Sequence, residues 1–292
     1  MKFQYKITIL FLFIALILTT GCEKNPAEPD FQKEITVFGY LYGNESLGPE
    51  HAIRILNTRP VTEHYDANEA AVTGADVSIT RKSDGSVTKL NESAVQPGYY
   101  YNNSLLILPK ETYELTVKVG DKVVTASTTV PADLVTESQL STSSVNYEYR
   151  TNLGYDKPVL LQHENTEQLI MVEMYCNEPY NNAEYVTPFR DHKYPDDEDE
   201  YEGGGNGEPR RIWALVPIQD LVSGLYNNKP SVYWYSSMIV FFGSNTMHIM
   251  AIDDNMHYYM TMENPELSGG VNGGIGVFGS LCGTKYELFI KK

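Results

Sequence analysis

The chain has 292 residues, with 22 Lys and Arg against 38 Asp and Glu, a formal net charge of −16. So acidic a chain repels nucleic acid and anionic membrane surfaces, and no basic cluster offsets this, so nucleic-acid binding is excluded. The length suits one or two domains, and its 22 tyrosines suit half-buried strands or binding faces with a polar tip.

The first segment reads in three parts. Lys2 and Lys6 are followed by the apolar run from Ile7 to Leu18 and then by Thr19-Thr20-Gly21-Cys22. The run is shorter than the roughly 20 residues needed to span a bilayer, which makes it a signal-peptide core rather than an anchor. The cysteine after small residues resembles a bacterial lipobox, although Thr19 stands where Leu is usual. Residues 1–21 are therefore expected to be a lipoprotein signal peptide and Cys22 the acylated, palmitate-bearing new N-terminus. A plain secretory signal with an incidental cysteine is the alternative. Residues 22–33, polar and proline-containing, read as a tether.

From Glu34 to Val130 short runs of β-branched and aromatic residues alternate with turn residues. Strands are expected at Ile35–Leu41, Ala52–Leu56, Asp76–Arg81, Val87–Leu90, Gly98–Tyr101, Tyr113–Val119 and Val123–Val130. Tyr113, Leu115, Val117 and Val119 alternate with polar residues, giving one buried face. Asp84-Gly85 and Gly120-Asp121 suit hairpin turns that need positive φ. No helical periodicity is visible here, and residues 34–131 read as an immunoglobulin-like or prealbumin-like sandwich.

Residues 132–158 read as a linker or edge hairpin. A second β-rich domain is expected over 159–292, with strands at Gln168–Cys176, Ile212–Val216, Val232–Phe242, Met247–Ile252 and Tyr286–Ile290. Short helices are expected at Pro217–Leu225 and Asp253–Met262, the latter capped by Asp253 or Asp254. The insertion 195–209 carries five consecutive acids before its glycines, and reads as a solvated loop. Calcium binding is its alternative, but the EF-hand spacing is missing, so no metal site is assigned.

Two motifs fail in context. Gly274, Gly276 and Gly279 match G-x-G-x-x-G, yet no helix is expected to follow and no acidic ribose ligand lies downstream, so no dinucleotide cofactor is assigned. Ser86 and Lys89 match S-x-x-K, but that chemistry needs a helix and this segment reads as turn and strand. His248 alternates with apolar residues and reads as a structural histidine facing the core or a pocket. Cys176 and Cys282 are expected either to form a disulfide or to be two buried thiols. Tyr233-Trp234-Tyr235 reads as core filling or, less directly, as a binding surface; Tyr99-Tyr100-Tyr101 has the same ambiguity.

Three stretches carry a family resemblance: Glu34 to Leu41; Thr73 to Pro131 through Pro97-Gly98-Tyr99-Tyr100 and Tyr113 to Val117; and Gly270 to Gly279. With these the chain resembles the Bacteroidota lipoproteins of domain of unknown function 4249. The resemblance implies an outer-membrane lipoprotein, often encoded near TonB-dependent transporters, and implies no activity. The expectation is a mostly β, non-catalytic binding or accessory module, lipid-anchored at the cell outer membrane, with a TonB-dependent transporter as partner. A structural or adhesive surface protein is the alternative, and an envelope hydrolase the third reading.

Overall fold

The computed structural model describes residues 31–138, 140, 144–146, 153–162, 168–179, 184, 186, 210–239, 241–262, 264 and 269–292. Residues 1–21, read as a signal peptide, Cys22, most of the segment read as a tether and the acidic insertion 195–209 lie outside these. The chain divides into two units, 1–33 with 59–64, and 34–58 with 65–292. In the smaller unit Arg59 pairs with Glu63, four residues on, at 2.9 Å. All that follows concerns the larger unit.

Its first half contains β1 (Ile35–Tyr42), β2 (Ser46–Leu47), β3 (Ile53–Asn57), the one-turn helix α1 (Ala67–Ala70), β4 (Asp76–Arg81), β5 (Val87–Lys89), β6 (Asn91–Glu92), β7 (Tyr99–Leu106), β8 (Thr112–Val119) and β9 (Lys122–Thr129). Asp66 caps α1 by accepting from the Asn68 and Glu69 amides. The second half contains β10 (Val135–Ser138), β11 (Val145–Asn146), helix α2 (Leu153–Asp156), β12 (Val159–Gln162), β13 (Leu169–Cys176), β14 (Arg210–Pro217), β15 (Val222–Ser223), β16 (Lys229–Val232), β17 (Gly243–Ile252), helix α3 (Asp254–Thr261), β18 (Val271–Asn272) and β19 (Ile275–Lys291).

The expected strands of the first half are present within a few residues, the largest difference being β7, which runs on to Leu106. Period-two burial is clearest in β8, where Tyr113, Leu115 and Val117 are fully buried. β4, β5, β8, β9 and β18 form a five-stranded sheet. It packs on β1, β3 and β7 through one core that includes Val37, Ile53, Ile55, Tyr100, Val77 and Leu115. The first half is thus sandwich-like, and the fold is mostly β.

The boundary expected over 132–158 does not divide the sheets. A ten-stranded sheet runs β14-β13-β17-β19-β1-β3-β7-β2, with β6 and β11 off this path. Its midpoint is the parallel pairing of β1 with β19, from Thr36 opposite Ile275 to Tyr42 opposite Leu281. The cores are also shared, the first taking in Phe278 and Cys282 of β19. A second cluster, with Val159, Ile170, Val172, Tyr235, Ile249 and Leu288, lies between the β13–β17–β19 portion and a four-stranded sheet, β10-β12-β16-β15. Alternate residues of the same strands, Met171, Met250, Val277 and Leu281, face the other way and pack with Met256 of α3.

Three expectations need correction. Val232–Phe242 is not a strand: β16 ends at Val232 and Trp234–Met238 is a 3₁₀ helix. Burial at Tyr235 and Met238 has a spacing of three, and the Ser237 hydroxyl donates to the Trp234 carbonyl at 2.6 Å, which holds the tight turn. The last strand does not begin at Tyr286. It starts at Ile275, because the glycines that read as a loop are what the pairing requires. Gly276 has φ +110°, and a Cβ there would lie 2.1 Å from the Val37 carbonyl oxygen. Finally, 132–158, expected as a linker or edge hairpin, contributes β11, α2 and β10, the last at the edge of the four-stranded sheet. Of the two expected short helices, Asp254–Thr261 is an α-helix capped by Asp253, whereas Pro217–Leu225 is broken into the 3₁₀ turns Ile218–Leu221 and Gly224–Tyr226 by the strand β15 between them.

Candidate functional site

The polar side chains that structure brings together converge at the start of α3. Asp253 caps the helix by accepting from the Met256 amide at 3.0 Å. The same carboxylate accepts from the Ser280 amide of β19 at 3.1 Å and from the Thr128 hydroxyl of β9 at 2.5 Å. Thr128 and Ser280 share a further hydroxyl–hydroxyl bond of 2.7 Å. The next residue but one, Asn255, donates to the Ser127 carbonyl at 2.7 Å and the Phe278 carbonyl at 2.8 Å. One helix end thereby ties the five-stranded sheet to the ten-stranded one. Burial pushes the Asp253 carboxyl above its ordinary value, only partly opposed by its three donors.

Beside this knot lies a cavity of about 600 Å³, bounded by the end of β9 and the chain to Ala132, by Gln168 ahead of β13, by Lys110, and by Ile252 to Asn255. Its rim is polar: Lys110, Ser127, Thr129 and Asp254 are exposed. Lys110 holds φ +65°, and its amide donates to the Val130 carbonyl at 2.9 Å. The site thus sits where several chain segments meet, a common setting for small-molecule sites. Asp253 was legible in the sequence as a helix cap; Lys110 and the Ser127–Thr129 hydroxyls carried no such signal.

A second polar array lies across the ten-stranded sheet. Glu173 of β13, His248 of β17 and Lys285 of β19 stand opposite one another in register. His248 Nδ1 lies 3.1 Å from Glu173 Oε2, both side chains being buried, and the ring of Tyr175 meets the imidazole edge-on. Next along, Lys285 pairs with Glu45 at 2.7 Å, Glu45 with His51 at 2.6 Å, and His51 stacks on Tyr42. Burial alone would raise the Glu45 carboxyl, but hydrogen bonds from Lys285 and His51 prevail and hold it below its usual value. His248 is therefore a structural histidine whose orienting partner is Glu173. The missed signal was Glu173 itself, a lone charge in the apolar run QLIMVEMYC.

The three aromatic residues Tyr233, Trp234 and Tyr235 have different surroundings. Tyr235 is fully buried, and its hydroxyl donates to the Lys157 carbonyl at 3.0 Å; burial raises its pKa. Trp234 packs half-buried against the second core. Only Tyr233 faces a surface group, its ring 5.0 Å from that of the exposed Tyr155 and 6.0 Å from that of Tyr226. Tyr100 is likewise core, its hydroxyl donating to the Val72 carbonyl at 2.7 Å.

Cys176 and Cys282 are buried thiols and do not bridge. Cys282 stands opposite Ala251 of β17, which stands opposite Ile170 of β13, six residues before Cys176 on that strand. At about 3.3 Å per residue the sulfurs are separated by roughly 20 Å along the strands, where a disulfide needs Cα atoms within about 7 Å. Ser86 and Lys89 sit on a turn and on β5, and Lys89 pairs with Asp76 at 2.9 Å, not with Ser86. Among the described residues no group of three or more His, Cys, Asp or Glu is arranged to hold a metal ion, and no helix is long and apolar enough to cross a membrane. The calcium alternative for 195–209 lies outside the described residues.

No curated protein is significantly similar to this chain. A family does match it, over residues 25–284, and that span includes the strands β1 to β18, the α3 knot and the glycine-rich start of β19. The chain belongs to the family described as Domain of unknown function (DUF4249).

Proposed function

We propose that the mature chain is a non-catalytic binding module, held at the cell outer membrane by an acylated Cys22 and acting as an accessory to a TonB-dependent transporter. The observation that carries the binding reading is the cavity of about 600 Å³ beside Asp253, whose walls come from several segments fixed by hydrogen bonds. Such a site is preorganised: its groups are held by the fold, so little ordering is left to oppose a ligand. The anchor reading rests on the sequence from Lys2 to Cys22, and the following polar tether would hold the domain beside membrane partners at high effective concentration. The exposed Tyr155, with Tyr226 and Tyr233 beside it, favours a second reading as an adhesive surface protein.

Cell fractionation with gene deletion tests the proposal. The wild type is expected in the detergent phase with acyl chains on Cys22, Cys22→Ser in the aqueous phase, and deletion lowers uptake of one nutrient. A protein lacking acyl chains, or a deletion that leaves uptake of every tested nutrient unchanged, moves the reading to the adhesive alternative.

A further inference from the structure

The hydrogen bonds around the cavity show which groups are already engaged. Both oxygens of Asp253 are occupied by Thr128, Met256 and Ser280. Both hydrogens of the Asn255 amide are donated, to Ser127 and Phe278, and both of the Gln168 amide, to Leu169 and Ile252. Among the described lining residues, these bonds leave for a ligand the carboxylate of Asp254, the amide oxygens of Asn255 and Gln168, the Ser127 hydroxyl and one cation, Lys110. Among the described residues Lys110 has no carboxylate within ion-pair distance. It also keeps a left-handed backbone in which glycine or asparagine would be relaxed and lysine is not.

This set selects among ligand classes. A phosphate or other simple anion would find one lysine opposed by Asp253 and Asp254, without an arginine. A metal ion would meet the Lys110 charge. A sugar would find no ring to stack on, because no aromatic side chain lines the cavity. A primary ammonium brings three donors, and three acceptors of the lining residues, Asp254, Asn255 Oδ1 and Gln168 Oε1, are not taken up by the hydrogen bonds above. A carboxylate at the other end matches Lys110. We infer that the cavity takes a small zwitterion of amino-acid or short-peptide type, its ammonium toward Asp254, Asn255 and Gln168 and its carboxylate toward Lys110. This inference rests on the binding reading above and names its ligand class.

Titration calorimetry on the full mature chain tests it, with alanyl-alanine as probe against its N-acetylated and C-amidated forms and against glucose and maltose. Alanyl-alanine is expected to bind saturably, and blocking either end to weaken binding about tenfold or more. Lys110→Met should abolish discrimination against the amide alone, and Asp254→Asn discrimination against the acetylated form alone. Both residues are exposed, so an unchanged melting temperature shows that the variants are folded. Equal binding of free and blocked peptides overturns the inference. Binding of a sugar that Lys110→Met weakens, with no peptide binding, also overturns it while leaving the binding module intact. No ligand-induced change in the amide resonances of Ser127 and Asn255 with any probe removes the cavity as a site, and with it the observation that carries the binding reading.

Discussion

Replacing Asp253 with alanine removes three hydrogen bonds at one stroke. Loss of the helix cap on Met256 costs about 1 kcal/mol. The Ser280 amide belongs to a fully buried residue and is left without its acceptor, at about 1–3 kcal/mol. Thr128 keeps its bond to the Ser280 hydroxyl, so its share is small. The total is about 2–4 kcal/mol, a large part of the roughly 5–15 kcal/mol that holds a domain folded. Urea unfolding should show a lower midpoint with an unchanged slope, whereas Asp254→Ala, exposed and outside the knot, should move it by less than about 0.5 kcal/mol. The pH dependence has a fixed sign. Asp253 has a folded pKa above its ordinary 3.8, so its proton-linked contribution is fully present below 3.8 and is lost as pH rises through the raised value. The stability gap between wild type and Asp253→Asn should therefore widen on acidification through that window. A gap that narrows, or an alanine variant within 0.5 kcal/mol (~ the scatter of surface changes) of wild type, refutes the reasoning.

Other perturbations read different parts of the fold. His248→Ala removes the donor 3.1 Å from the buried Glu173 carboxylate and should destabilise by about 3 kcal/mol in the same assay, while a loss under about 1 kcal/mol would make the pair incidental. Gly276→Ala forces a Cβ onto the Val37 carbonyl at φ +110° and should cost about 3 kcal/mol or more; Gly120→Ala, at φ +58° in open space, should cost about 1 kcal/mol. Burial pushes the Cys282 thiol up to about 12, so alkylation near neutral pH should be negligible in the native protein and complete in urea. Mass spectrometry without reductant should then find Cys176 and Cys282 both alkylated; a mass lacking both labels would restore the bridge.

The strand hairpins were readable because their determinants are local. Tyr113, Leu115 and Val117 alternate, and Gly85 and Gly120 do hold the positive φ that their turns require. The α3 helix was readable for the same reason, through the short range of the Asp253 cap. What was hidden depends on residues far apart in the chain. The β1–β19 pairing joins Thr36 to Ile275, and no local pattern announces a parallel partner at that distance. Gly276 and Gly279 read as loop because glycine weakens strand propensity, yet each is small because a neighbour approaches closely, Val37 in one case and Met256 in the other. The same holds for the site. Asp253 announced its cap but not its bonds to Thr128 and Ser280, and Lys110 became a candidate only when its turn was set beside them.

If, as proposed, an anchored module engages an outer-membrane transporter, the two should be recoverable together. The most direct measurement is crosslinking in intact cells, followed by affinity capture of the protein and mass spectrometry of what is bound. The account predicts one dominant outer-membrane transporter, recovered with wild type and lost with Cys22→Ser. Capture of no outer-membrane protein, or equal capture with Cys22→Ser that is shown to be unanchored, would contradict it.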